Sequence, residues 1–320
     1  MGNYQLTSAA MSGNVGQITK KNITAELMGT NSVSKEYDGN TNVTAALTRG
    51  TNYQLSGMVA DDNLSLTGTG VYTENKNAAD GKAVSFSNLI LTGTDMGNYQ
   101  LTSAAMSGNV GQITKKALTL GLADGISISK VYDGSTDVSV LLTSGSFTLS
   151  GAVDSENVRL NEAAISGAYD DKNAGTAKAV TFTGLTLDGD AAVNYVLPVS
   201  LNAGTITAKP ITASLRERYS FNKTYDGTNK ASLGSGYTLD GVVTGDTVTL
   251  SADGQYDSKE TGTAKVVTFS NFSIQDTNYT LQTPGAEGTL TGTGSITAPT
   301  PAPTPTPIPT PEPTPTPEPT

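Results

Sequence analysis

The sequence predicts an all-β chain: tandem small β-sandwich-like modules, immunoglobulin-like or β-grasp-like, followed by a disordered polyproline-rich tail. Three observations predict it. Glycine is abundant, at 35 of 320 residues, and aromatic side chains make up only 6%, which suits short strands joined by many turns. Apolar and polar residues alternate in short runs, and glycine interrupts every window where a helical stripe would need continuity. The whole pattern also recurs along the chain, and that recurrence sets the domain organisation.

MGNYQLTSAAMSGNVGQITKK begins at Met1 and again at Met96, 95 residues later, without a difference. KEYDG at 35–39, KVYDG at 130–134 and KTYDG at 223–227 follow one another at steps of 95 and 93 residues. Farther along each copy, GVYTENKNAADGKAVSF, GAYDDKNAGTAKAVTF and GQYDSKETGTAKVVTF end at Phe86, Phe182 and Phe269. Asn-Tyr pairs come next, at Asn98-Tyr99, Asn194-Tyr195 and Asn278-Tyr279. From the YDG tyrosine to that second tyrosine the first two copies take 62 and 63 residues and the third takes 54, so a surface loop is trimmed there.

A period near 95 residues exceeds any solenoid rung and predicts one bead with its own core per copy, over 22–116, 117–208 and 209–297. Residues 1–21 read as the end of a truncated repeat. They are expected to be a displaced strand pair, less protected than 96–116, able to pair with the edge of an adjacent repeat. In the second copy, strands are expected over ALTLGLAD, GISISKVYDG, DVSVLL, SFTLSG, NVRLN, AISGAYDD, AKAVTFTGLTLDG, NYVLPV and GTITA. Along 179–187 the alternation slips by one at Gly184, which predicts a bulge or bend, because a one-residue slip otherwise turns the apolar face outward.

The motif residues have local roles that need no ligand. In the YDG turns, Tyr37, Tyr132 and Tyr225 are expected to pack at a strand end. Asp38, Asp133 and Asp226 are expected to cap turn amides, and Gly39, Gly134 and Gly227 to take positive φ. The Asn-Tyr pairs read as a turn residue followed by a strand-opening tyrosine. GQITKKALTL and GTITAKPITASL join the copies without a glycine or serine spacer, so little bending is expected there. From residue 298 onward, 11 prolines stand at every second position from Pro299 to Pro319. Such a run predicts a polyproline II spacer of roughly 70 Å.

Composition narrows the function. With no Cys, His or Trp, the chain lacks disulfides, thiolate nucleophiles, imidazole metal ligands and the commonest general base, so no catalytic residue is expected. A net charge of −10 and a pI near 4.5 disfavour nucleic acid and anionic membranes. No apolar run approaches the roughly 20 residues of a membrane-spanning helix. Two rival readings remain. Calcium is one, with Asp61, Asp62, Asp170, Asp171, Asp188 and Asp190 as hard oxygen ligands in loops. Self-formed isopeptide bonds are the other, joining Lys35, Lys130 and Lys223 to Asn98, Asn194 and Asn278 beside carboxylates.

The K-x-Y-D-G turn, the later Y-D-D-K-N-A-G-T-A-K-A-V-T-F segment and the Asn-Tyr pair together resemble the YDG-domain repeat of large secreted bacterial proteins, many of the filamentous haemagglutinin type of adhesin. The likeness covers residues 22–297. Asn229 departs from it where the other copies have Thr41 and Thr136. The resemblance implies a cell-surface or released extracellular protein whose repeats act as spacers or adhesive elements, with a glycan or protein of a host or neighbouring cell as partner.

Overall fold

The structure, a computed structural model, describes residues 2, 4, 5, 7–161 and 164–300. The expected spacer lies, from Pro301 onward, outside the described residues. The first copy contributes β1 (Lys21–Leu27), β2 (Val33–Glu36), β3 (Tyr53–Ser56), β4 (Ser65–Tyr72), β5 (Ala79–Thr92), β6 (Tyr99–Leu101) and β7 (Met106–Thr114). One sheet runs β3-β1-β6 and the other β2-β7-β5-β4. In each, an early strand pairs in parallel with a late one, β1 with β6 and β2 with β7, while the remaining pairs are antiparallel.

The second copy repeats the plan in shorter pieces: β8 (Lys116–Ala117), β9 (Thr119–Leu122), β10 (Ile128–Val131), β11 (Phe147–Ser150), β12 (Arg159–Leu160), β13 (Ser166–Tyr169), β14 (Gly175–Thr183), β15 (Leu187–Asp188), β16 (Tyr195–Val196) and β17 (Ser200–Thr207). Here β11 pairs with β9, β16 with β8, and a four-stranded sheet runs β10-β17-β14-β13. The third copy has β18 (Lys209–Leu215), β19 (Ser220–Thr224), β20 (Lys230–Ala231), β21 (Tyr237–Asp240), β22 (Leu250–Tyr256), β23 (Gly262–Ile274), β24 (Tyr279–Leu281) and β25 (Leu290–Thr297). Its sheets run β21-β18-β24 and β19-β25-β23-β22-β20. The chain is therefore all-β and sandwich-like in each repeat. The described residues divide into two compact units, and the limits of those units fall inside the second copy rather than between copies.

Both sheets of a copy feed one core. In the first, Tyr53 of the small sheet packs with Leu66, Val84 and Phe86 of the larger one, and the Tyr53 hydroxyl accepts a hydrogen bond from the Leu66 amide at 2.9 Å. In the third, Ala213 joins Phe221, Val267 and Phe269. Strand alternation explains the burial, with Lys82, Val84 and Phe86 facing in along β5. The face is then restored by a bulge. Asn88 (φ 53°) stands where the pairing of β4 with β5 shifts register, and Gly184 (φ 81°) and Asn271 (φ 54°) occupy the same place in the other copies. Gly184 also lacks room for a side chain, since a Cβ there would lie 2.3 Å from the Ala164 carbonyl oxygen.

At the junction, Leu118 and Tyr195 of the second copy join the same buried cluster as the core of the first. Two expectations differ from the structure. The strand over 137–142 does not form; Leu142 makes only an isolated bridge to Ile165. Nor do the opening residues form a strand pair: no strand occurs among the described residues before Lys21, and Tyr4, Met11, Val15 and Ile18 are fully exposed. The identical residues 96–116 form β6 and β7, and β7 is held between β2 and β5. Neighbouring strands, not the segment itself, satisfy its backbone amides.

Amide exchange monitored by mass spectrometry should therefore find strong protection over 106–114 and almost none over 11–19 of the same sequence. Equal protection of the two segments would contradict the difference in pairing.

Candidate functional site

The YDG turn is built from its lysine outward. Lys35, Lys130 and Lys223 leave the ends of β2, β10 and β19 and curl back. Their Nζ atoms donate to Asp38, Asp133 and Asp226 at 2.6, 2.7 and 2.7 Å, and to the carbonyl oxygens of Asn40, Ser135 and Thr228 at 2.9, 2.8 and 2.8 Å. Each ammonium also lies 5.5 to 5.6 Å from the ring centre of a core tyrosine, Tyr72, Tyr169 or Tyr256. A desolvated cation over an aromatic face, with a carboxylate and a carbonyl as partners, is well compensated. The same Asp oxygen accepts the amide two residues on, at 3.2, 2.9 and 2.9 Å. Lys223 and the Thr228 amide together hold the Asp226 carboxyl down to about 2. Glycine follows at φ 80 to 82° in every copy.

This clamp aims the tyrosine. The backbone amides of Tyr37, Tyr132 and Tyr225 each bond the closing strand of their own copy, at Thr114, Thr207 and Thr297. The side chains of the first two then point out of their own copy and into the next. Tyr37 donates to Glu156 Oε1 at 2.5 Å, and Tyr195 of the Asn-Tyr pair donates to Glu156 Oε2 at 2.5 Å. Tyr132 and Tyr279 donate to Asp246 Oδ2 at 2.7 and 2.6 Å. The paired rings meet edge to face, Tyr37 with Tyr195 at 5.5 Å and Tyr132 with Tyr279 at 5.4 Å.

A second strand of contacts reinforces the first. Lys76 Nζ lies 2.6 Å from Glu156, and Lys172 Nζ 3.7 Å from Asp246. Beside these lysines, the Ala78 and Ala174 amides donate to the side-chain oxygens of Asn194 and Asn278 at 2.9 and 2.8 Å. The amide nitrogens of those asparagines reach back to Asn77 and Asn173. Close approach is needed: a Cβ at Gly39 or Gly134 would lie 2.8 or 3.0 Å from the side chain of Val153 or Val243 in the next copy. The motif glycine thus serves both its turn and the docking of its neighbour.

The charges follow from this geometry. Burial acts to raise the Glu156 carboxyl, but hydrogen bonds from Lys76, Tyr195 and Tyr37 outweigh it and hold the group below its ordinary range. Hydrogen bonds from Tyr279 and Tyr132 lower Asp246. Burial, and then the hydrogen bond to the carboxylate, pushes Tyr195, Tyr132 and Tyr279 up to about 12, and Tyr37 rises for the same reasons. The arrangement is a neutral donor, ionised acceptor, neutral donor bridge. It joins one copy to the next.

The other sequence candidates lie apart. Asp62 accepts the hydroxyl proton of Tyr99, Asp170 and Asp171 pair with Lys178 at 3.2 and 2.8 Å, and Asp188 pairs with Arg159 at 2.6 Å. Asp61 takes positive φ in a turn, and Asp190 lies in an exposed loop. Among the described residues no three acidic side chains gather into a cation site. The Lys and Asn residues weighed for isopeptide bonds are engaged elsewhere, the lysines in the YDG clamps, and Asn194 and Asn278 at the junctions. Sequence reasoning missed Glu156, Asp246, Lys76 and Lys172. The signal was present: GMVADD, GAVDSE and GVVTGD each place an acid five residues after a glycine, at Asp62, Glu156 and Asp246.

A family model described as the YDG domain matches the chain three times, over residues 19–106, 114–203 and 207–286. No curated protein and no solved structure matches it.

Removing one hydroxyl tests the bridge. Tyr132→Phe should lower the unfolding free energy by about 1–3 kcal/mol, because it strips a donor from a carboxylate that is 17% exposed. Tyr225→Phe, whose hydroxyl has no partner among the described residues, should change it by less than about 0.5 kcal/mol. Equal losses in denaturant titrations would refute the distinction.

The pH profile follows from the shifts. Glu156 and Asp246 titrate lower when folded, so their contribution is complete above the ordinary carboxylate value of about 4 and disappears as pH falls through the folded value. The tyrosines titrate higher when folded, so theirs is complete below about 10 and disappears as pH rises toward about 12. Melting curves of Tyr132→Phe should show a shallower alkaline decline than wild type, and an unchanged decline would count against the bridge.

Proposed function

The chain belongs to the YDG domain family, and from that premise we propose that it is a non-enzymatic structural segment, a stalk of serially locked repeats in a large secreted or surface-exposed bacterial protein of the filamentous haemagglutinin and adhesin type. The observation that carries this reading is the junction. Two successive pairs of copies are joined by the same tyrosine, carboxylate and tyrosine, with a lysine and an asparagine beside them. Hydrogen bonds that link one repeat to the next suit a chain that must hold spacing under load, because nearest-neighbour interfaces add to the stability of the repeats themselves.

Several features agree with that role. The repeats follow one another without a flexible spacer, and the acidic surface keeps an exposed array soluble. The chain has no histidine or cysteine to run ordinary acid–base or nucleophilic chemistry, and its junction tyrosines and acids are committed to one another. A surface adhesin would present such a stalk toward a glycan or protein of another cell.

Protease treatment of intact cells that make the protein should remove it before any cytosolic marker is cut. In small-angle scattering, the purified chain should show a radius of gyration well above the roughly 20 Å of a compact chain of this length. Protection from protease on intact cells, or a compact scattering profile, would overturn the stalk reading.

A further inference from the structure

A lysine, an aspartate and an asparagine side chain meet in the YDG turn of the first copy and in neither of the other two. Lys35 Nζ lies 2.6 Å from Asp38 Oδ1 and 3.1 Å from Asn40 Oδ1. The same Asn40 oxygen accepts the Asn42 amide at 2.8 Å. The lysine side chain is 3% exposed, with its ammonium 5.6 Å from the ring centre of Tyr72. In the second and third copies Ser135 and Thr228 take the place of Asn40, and their hydroxyls stand 2.9 and 3.1 Å from the lysine. The clamp is closed in all three copies, so the turn does not need an asparagine. What Asn40 adds is an acyl carbon, Cγ, beside a desolvated amine. Nucleophile, acyl carbon, proton carrier and oxyanion donor are thus gathered within one turn, which removes the entropic cost of bringing them together.

We propose that Lys35 and Asn40 join in an isopeptide bond, formed once in each molecule by the chain itself. Asp38 takes a proton from the Lys35 ammonium, and the free amine attacks Asn40 Cγ. The electron pair moves onto Oδ1, where the Asn42 amide stabilises the oxyanion. The carbonyl then re-forms as the bond from Cγ to Nδ2 breaks. Asp38 hands its proton to the departing nitrogen and takes the second amine proton, which follows the ammonia out as ammonium. One C–N bond forms, one breaks, and nothing is oxidised. Burial acts to raise the Asp38 carboxyl, but hydrogen bonds from Lys35 and the Asn40 amide outweigh it, so the ion pair is the resting state and the bond forms slowly. Once made, it closes covalently the turn that carries Tyr37, where the other two copies rely on hydrogen bonds.

A second contact in the same copy shows what the aspartate contributes. Lys82, 3% exposed, donates to Asn75 Oδ1 at 3.0 Å, and the Asn77 amide donates to that oxygen at 2.9 Å. No ion pair engages Lys82 among the described residues, whereas Lys178 and Lys265, in its place in the other copies, pair with Asp170, Asp171 and Asp257. Amine, acyl carbon and amide donor are present there without a proton carrier, so this pair is expected to stay unlinked.

Mass spectrometry of the purified full chain, kept for weeks in neutral buffer, tests the proposal. The intact mass should fall by one ammonia, about 17 Da. Trypsin should no longer cut after Lys35, and fragmentation should place the loss between Lys35 and Asn40, with Lys82 and Asn75 unlinked. Asn40→Ser gives the first copy the residue that the second carries, so it keeps the clamp and should abolish the loss. Asp38→Ala should slow the bond about a hundredfold or more. An intact mass that stays at the sequence value, a loss that survives in Asn40→Ser, or a loss that leaves the chain cleavable after Lys35, as a succinimide at Asn40 would, each overturns the bond. Equal rates in Asp38→Ala and wild type overturn the part given to Asp38. None of these outcomes bears on the surface location proposed above, which protease treatment of intact cells reads separately.

Discussion

One carboxylate held between two tyrosines of successive copies is the interaction on which the rest of this structure depends. A buried carboxylate costs several kcal/mol in lost hydration, so it is stable only with its lone pairs satisfied. Glu156 uses both oxygens, one for each tyrosine, and Lys76 shares the first. Asp246 is one methylene shorter and receives both tyrosines on a single oxygen, with Lys172 standing off the other. Tyrosine suits this place because its ring fills the apolar contact while its hydroxyl remains a neutral donor. Phenylalanine would keep the packing and leave the acid short of a partner.

The YDG turn exists to deliver that tyrosine. Its lysine is almost fully buried in the first two copies and is fixed by an aspartate, a carbonyl and an aromatic face, so the turn has little freedom. The tyrosine backbone is tied to the closing strand of the same copy, which leads directly into the opening strand of the next. Strand, turn and hydroxyl thus act in series. The buried cluster of the first copy accordingly runs on into Leu118 and Tyr195 of the second, and compact packing does not break where the sequence repeat does.

Much of the motif was legible in the sequence. Aspartate capping the turn and glycine at positive φ follow from residue type alone. The register slip at Gly184 was also legible, because side chains on a strand alternate with a period of two; the structure adds that Asn88 and Asn271 solve the same problem in the other copies. The outward reach of Tyr37 and Tyr132 was not, since a tyrosine at a strand end reads equally well as core. The acids escaped for another reason: Asp62, Glu156 and Asp246 differ in length and in neighbours, and Asp61 beside the first suggested a metal pair instead.

By itself the sequence determined the all-β class, the three-fold recurrence and the local form of the YDG turn, because alternation, turn chemistry and repetition are properties of neighbouring residues. Tertiary structure alone decided which surfaces the repeats share. It also decided the fate of the duplicated 21-residue segment, which forms strands at 96–116, where β2 and β5 supply hydrogen-bond partners, and forms none among its described residues before Lys21. A strand is completed by its neighbours, and no segment carries those within itself.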